Sequence, residues 1–268
     1  MYEALYAPIP DGAAYARRIG LSWPLTPDLE TLDRIVLSHQ CTVPFENIQC
    51  YDLQQEPSLE IPTLFDKVVR EHRGGYCFEL NALLESFLRA VGYDAWSVSC
   101  RIVRGKDFIP PMLHRGVLVR IDGTTYYCDV GYGGPQPSFA VPINGRRCKN
   151  GEEFWGEPVD EHWFAICRRT SQGLAERVFE FLTVPMPASY FLPCNFQCSC
   201  HESSLFQKRR VINLRTPRGS LALTDAVLTE HRDGQVYETT CQSPDEEAAM
   251  LADRFGITVD PAILRWNA

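Results

Sequence analysis

The hydrophobic pattern of this chain changes period near residue 92, and that change constrains the fold more than any single motif. Before it, apolar residues recur at helical spacing: Leu29, Leu32, Ile35 and Val36; then Ile61, Leu64, Phe65, Val68 and Val69; then Leu80, Leu83, Leu84, Phe87, Leu88 and Val91. Thr26, Pro27 and Asp28 read as an N-cap, a proline at the first helical position and an acid in the first turn. Gly74-Gly75 reads as the stop of the second helix and Gly92 as the stop of the third. After residue 93 come short runs rich in β-branched and aromatic residues: AWSVSCRIV at 95–103, GVLVRI at 116–121, TTYYCDV at 124–130, HWFAICR at 162–168 and RVFEFLTV at 177–184. Such runs predict a β-sandwich or barrel. The tail is mixed, with strands expected at RVINLRT (210–216) and VYETT (236–240) and a helix at DEEAAMLADRF (245–255). No repeat or low-complexity linker divides the chain.

At 268 residues, 45% hydrophobic and 22% charged, the chain has the composition of a soluble globular protein with ample core. A formal charge of -8 argues against nucleic acid or an anionic membrane as principal partner. The basic runs Arg146-Arg147-Lys149 and Lys208-Arg209-Arg210 would meet an anion locally or simply be solvated surface. The start of the chain lacks a basic segment followed by an apolar one, and no apolar stretch approaches the ~20 residues needed to span a bilayer. Eleven cysteines in such a chain are expected to be reduced thiols in the cytoplasm.

One cysteine is placed differently. In RGGYCFELN, Cys77 follows a Gly-Gly break at the first turn of the third helix, where free N–H groups and the helix dipole favour a thiolate. On this segment alone, a nucleophile and a buried structural cysteine are equally good readings. The hairpin at Asp122-Gly123 weighs between them. A two-residue turn there pairs Ile121 with Thr124 and brings Gly116 opposite Asp129. His114 is then the diagonal neighbour of Asp129 on one face, ~7–8 Å away at the Cα level. A histidine held by a carboxylate beside a cysteine from another element is the arrangement that activates a thiol, whose pKa falls to ~3–4 in such settings.

RGGYCFELN, PFENI at 44–48, HRGVLVRIDG at 114–123, DVGYGG at 129–134 and NFQCSCHESSLF at 195–206 resemble, in order and approximate spacing, the successive signatures of the arylamine N-acetyltransferase family. The resemblance covers nearly the whole chain and implies Cys77, His114 and Asp129 as a triad in a cysteine-protease-like arrangement. It implies an α+β fold in three parts: an N-terminal helical bundle carrying the cysteine (1–92), a central β-barrel carrying the histidine and aspartate (93–200) and a C-terminal α/β lid (201–268). It further implies acetyl-CoA as cosubstrate, no permanently bound cofactor, and small aromatic amines or hydrazines as acceptors. The state would be a monomer or homo-oligomer. Two departures fall where CoA or acceptor contacts are expected: Leu113 stands where a threonine is common, and Cys200 and Glu202 replace the usual threonine and proline.

Other residues are weighed beside the triad. Glu46 and Arg73 read as a buried ion pair orienting the cysteine loop, and Asn81, one turn after Cys77, as a hydrogen-bonding brace. Phe45 and Tyr132 serve equally well as walls of an acceptor pocket or as core. Gly131, Gly133 and Gly134 would let backbone approach CoA, though the segment lacks the lysine and serine of a P-loop. Cys194, Cys198 and Cys200 would share one face of a strand with His201 on the other, which argues against a zinc site. The Cys-His-Asp order also suits a cysteine hydrolase or transglutaminase-like enzyme, or an amide synthase loading a carrier-bound acyl chain.

Overall fold

The computed structural model describes residues 2–266. Its first third is helical: α1 (Gly12–Arg18), α2 (Leu29–Thr42), α3 (Ile48–Tyr51), α4 (Ile61–Phe65, widening into a π turn over Asp66–Arg70) and α5 (Cys77–Val91). Only the two-residue strand β1 (Phe45–Glu46) interrupts them. The cap of α2 differs from expectation. Asp28, not Thr26, is the N-cap, because its carboxylate accepts the Thr31 N–H at 2.7 Å and leaves Pro27 outside the helix. The second helix likewise stops at Arg70, before Gly74-Gly75, where His72 turns to a φ of 56°.

Eight antiparallel strands follow: β2 (Asp94–Ile102), β3 (His114–Ile121), β4 (Thr124–Cys128), β5 (Val141–Pro142), β6 (Gly145–Lys149), β7 (Glu152–Pro158), β8 (Trp163–Arg169) and β9 (Ala175–Leu182). Their order, β5-β4-β3-β2-β9-β8-β7-β6, brings the two end strands back together in a nearly closed, barrel-like sheet. Gly156 on β7 makes the closure possible, since a Cβ there would stand 2.4 Å from the Pro142 carbonyl oxygen. Alternation along β3 and β4 splits the core in two. Leu118 and Tyr127 point into the barrel with Phe179 and Phe181, whereas Val117, Val119 and Cys128 face Leu80, Leu83 and Leu84 of α5.

Helices α6 (Phe191–Cys200) and α7 (Leu205–Lys208) lead to a second antiparallel sheet of β10 (Val211–Thr216), β11 (Gly219–Thr224), β12 (Val227–Arg232) and β13 (Gln235–Thr240), followed by α8 (Pro244–Met250). The stretch holding Cys194, Cys198 and Cys200 is thus a helix, not a strand. β1 is the edge strand of this second sheet, with Phe45 opposite Asn213 and Glu46 opposite Ile212. Among the described residues no helix is long and apolar enough to cross a membrane.

Candidate active site

The turn that presents Cys77 is clamped from both ends. Glu46 N–H donates to the Gly75 carbonyl at 2.9 Å, so the segments PFENI and RGGYC run side by side. Gly74 is obligatory in that crossing, because a Cβ would fall 2.0 Å from the Pro44 carbonyl oxygen. Glu46 accepts from Arg73 Nε at 3.0 Å and Nη2 at 2.7 Å, and its other oxygen accepts the Ile48 N–H. Burial pushes the Glu46 carboxyl up, but Arg73 and Lys67 outweigh it and hold the group below the usual carboxylate range. On the helix side, Glu79 accepts the Tyr76 N–H at 3.1 Å and meets Lys67 Nζ at 2.7 Å. The two pairs together fix the entry to α5 at Cys77.

The hairpin has the anticipated register. Ile121 pairs with Thr124, Asp122 and Gly123 adopt φ of 48° and 78°, and pairing continues to Val117 opposite Cys128. Beyond that last pair, at the start of β3, His114 Nε2 lies 2.5 Å from Asp129 Oδ2. Oδ2 also accepts from the Tyr127 hydroxyl at 2.8 Å, and Oδ1 accepts from Asn81 Nδ2 at 3.0 Å and the Gly131 N–H at 2.8 Å. Burial opposes ionisation of Asp129; His114, Asn81 and the Gly131 N–H overcome it, so the carboxyl lies below its ordinary range. The imidazole stacks on Phe179 at 5.2 Å and meets Tyr132 edge-on at 5.9 Å, which leaves Nδ1 as its second nitrogen.

Asn81 ties α5 to the hairpin. Its Nδ2 also donates to the Arg115 carbonyl at 2.5 Å, and its Oδ1 accepts the Val130 N–H at 3.0 Å. Gly131 packs against the Cys77 backbone, its absent Cβ 2.7 Å from the Cys77 Cα. Cys77 is 4% exposed and His114 1%. Burial pushes the Cys77 thiol well up, with Cys198 and Asp129 adding to it; hydrogen bonding from the Arg115 and Phe78 backbones pulls the other way. The low value expected from the sequence belongs to a thiolate paired with an imidazolium, whereas burial acts on the thiol by itself.

A cleft of about 640 Å³ opens between the barrel and the second sheet; it reaches Val130, next to Asp129, but none of Cys77, His114 and Asp129 lines it. Phe45, Gly133 and Gly134 line it, with Arg104 and Arg168 on the barrel side and Arg215 and His231 opposite. Gly133 makes room for the Phe45 ring and Gly134 for the Tyr132 ring, so both glycines serve packing as well as the cleft wall. Part of each basic run is committed elsewhere. Arg147 and Lys149 pair with Asp33, and Arg210 is buried between Asp52 and Glu247 rather than solvated. Sequence reasoning missed three groups: Tyr127; Arg115, held by Ser97 and Glu85 over the Phe191 ring; and Gln40, which donates to the Asp129 and Pro137 carbonyls. Gln40 and Arg115 carry no local signal, since their partners lie far along the chain.

The N-acetyltransferase family profile matches residues 28–264. The arylamine N-acetyltransferase of Mycolicibacterium smegmatis is 31% identical, over 92% of this chain and 92% of that protein. The solved arylamine N-acetyltransferase of Salmonella typhimurium superposes with a TM-score of 0.87 at 25% identity, covering 98% of this chain and 97% of that one. The Mycobacterium marinum arylamine N-acetyltransferase, solved in complex with CoA, shares the fold with a TM-score of 0.86 at 23% identity over 95% and 97% of the two chains.

Proposed function

Because this chain belongs to the arylamine N-acetyltransferase family, we propose that it moves an acetyl group from acetyl-CoA to an aromatic amine or hydrazine by a ping-pong route through Cys77. The observation that carries the reading is the buried His114–Asp129 pair, braced by Asn81 onto the helix whose first residue is Cys77. The order of groups is that of a cysteine-protease-like triad.

The free thiol is held protonated by burial, so a base must take its proton as it reacts. His114 Nδ1 is that base, while Asp129 fixes the ring and stabilises the imidazolium. The sulfur adds to the thioester carbonyl. The tetrahedral intermediate collapses, CoA leaves as a thiolate, and the imidazolium returns the proton to it. An arylamine, neutral at pH 7, then attacks the acetyl-cysteine; His114 removes the proton from nitrogen and passes it to the departing Cys77 sulfur. The Cys77 N–H, one of the unpaired donors at the start of α5, is the first candidate to bind the oxyanion.

CoA would lie in the cleft, where the basic groups are Arg104 and Arg168, both paired with Glu176, and Arg215, paired with Glu152; its phosphates would compete with these carboxylates for the guanidinium groups. The second sheet with α8 serves as the lid, and Phe45 and Tyr132 as aromatic walls for the acceptor. Eleven free thiols fit a reducing compartment, the cytoplasm. Intact mass spectrometry after addition of acetyl-CoA tests the reading. Wild type should gain one acetyl group, Cys77→Ser none, and an arylamine should discharge the acetyl group as amide product. Acetylation of Cys77→Ser to the same extent would overturn it.

A further inference from the structure

Asp129 Oδ2 accepts two donors at once, His114 Nε2 at 2.5 Å and the Tyr127 hydroxyl at 2.8 Å. The phenol is wholly buried inside the barrel, with its ring 5.4 Å from Phe179 and 5.1 Å from Phe181. Its position depends on Gly116. A Cβ at that residue would lie 2.6 Å from the Tyr127 ring and 2.9 Å from its oxygen. The gap that the glycine leaves between His114 and Asp129 is therefore filled by a hydroxyl. Burial holds the phenol far above its usual range, so it remains a donor at every working pH. The Cys100 sulfur, 4.0 Å away, is the other polar group near that oxygen.

We propose that Tyr127 is a positioning residue that sets the proton affinity of His114 by drawing on the same carboxylate oxygen. The proposal rests on the reading of Cys77, His114 and Asp129 as the reacting group. A carboxylate that accepts an additional hydrogen bond is a weaker partner for an imidazolium, because part of its charge is already engaged. The imidazole is thereby a weaker base than it would be beside a carboxylate with no second donor. Tyr127 also pins Oδ2, so the ring that Asp129 steers has one orientation. A phenylalanine would fill the same volume against Phe179 and Phe181. The hydroxyl, not the ring, carries the effect.

The test is the pH profile of kcat/KM for acetyl-CoA in wild type, Tyr127→Phe and Asp129→Asn. Tyr127→Phe should move the acid limb up by about 0.5–1 pH unit, with KM for acetyl-CoA unchanged. A 3-fluorotyrosine placed at position 127 donates more strongly and should move the limb the other way; this second variant also keeps the question open to measurement if Tyr127→Phe folds poorly. A filler side chain gives no such opposed pair of shifts. Profiles of both Tyr127 variants superimposable on wild type, with Asp129→Asn inactive, would overturn the role of Tyr127 alone. An Asp129→Asn enzyme that forms the acetyl-enzyme at the wild-type rate would bring down the triad reading, and this proposal with it.

Discussion

Gly131 stands so close to Cys77 that a Cβ built on it would lie 2.7 Å from the cysteine Cα and 3.2 Å from Asn81 Nδ2. The first of these neighbours is backbone at the head of a packed helix and cannot step aside. Gly131→Ala is expected to push the segment after Asp129 away from α5 and loosen the Asn81 brace. Overpacking of this kind costs about 1–3 kcal/mol. Urea melts should show that loss, and the rate of acetyl-enzyme formation should fall by about tenfold or more, since small misplacements in a reacting group cost of that order. A variant as fast as wild type would mean that the contact does not position the thiol.

Burial alone would keep Cys77 protonated. His114→Gln removes the imidazole proposed as the base and should slow alkylation of Cys77 by iodoacetamide at pH 7 by about a hundredfold, the usual size of a general-base contribution. In that variant the rate should climb only in the alkaline range. Peptide mapping of the alkylated cysteine gives the readout, and an unchanged rate at pH 7 would show that the thiol does not need the imidazole.

Glu46→Gln keeps the shape of the side chain but leaves Arg73 facing an uncharged partner. Breaking a buried pair in this way costs about 3–5 kcal/mol, whereas replacing both partners by apolar residues is often far cheaper. The double variant Glu46→Met/Arg73→Met should therefore recover much of the stability that Glu46→Gln loses in denaturant melts. If the double variant is the less stable of the two, the pair contributes net stability and the desolvation argument fails.

His39 is sealed in the helical core with Nδ1 2.7 Å from the Tyr15 hydroxyl, and burial, with Arg18 adding to it, lowers its pKa to about 3. The unfolded chain takes up a proton near pH 6.5 that the folded chain refuses until about 3, so stability is lost as the pH falls through that window. The slope is about 1.4 kcal/mol per pH unit, or about 2 kcal/mol between pH 7 and 5. His39→Gln should flatten the dependence by that amount in urea melts at the two pH values. Parallel curves for the two proteins would place the acid sensitivity elsewhere.

What the sequence revealed best was what depends on neighbours along the chain. Cys77 is the first residue of α5, and Asp122-Gly123 sets the hairpin register that delivers His114 to Asp129. What it concealed depends on partners supplied from elsewhere. β6 reads Gly-Arg-Arg-Cys-Lys and shows no apolar alternation, because its pairing with β7 and its place at the closure of the barrel make it a strand. β7, β11 and β12 are likewise not among the runs that read as strands, although Leu221 and Leu223 of β11 do alternate inward. The cysteine-rich stretch at 194–200 has a residue spacing that suits either period. Its helical form is favoured by Tyr76, Phe78 and Arg115, which hold Asn195 and Phe191 on one face. Tyr127 looked like one more β-former, and its hydroxyl gained a role only through its closeness to Asp129.

Phe45 pairs with Gly75 on one side and with Asn213 on the other, and the second partner arrives much later in synthesis. On a translating ribosome, at roughly 5–20 residues per second, the interval between the two is on the order of ten seconds. Cys77, His114 and Asp129 all emerge within it. A nascent chain thus holds Cys77, His114 and Asp129 before the outer side of the Phe45 strand is paired, and this wall of the cleft is completed by one of the late segments to leave the tunnel.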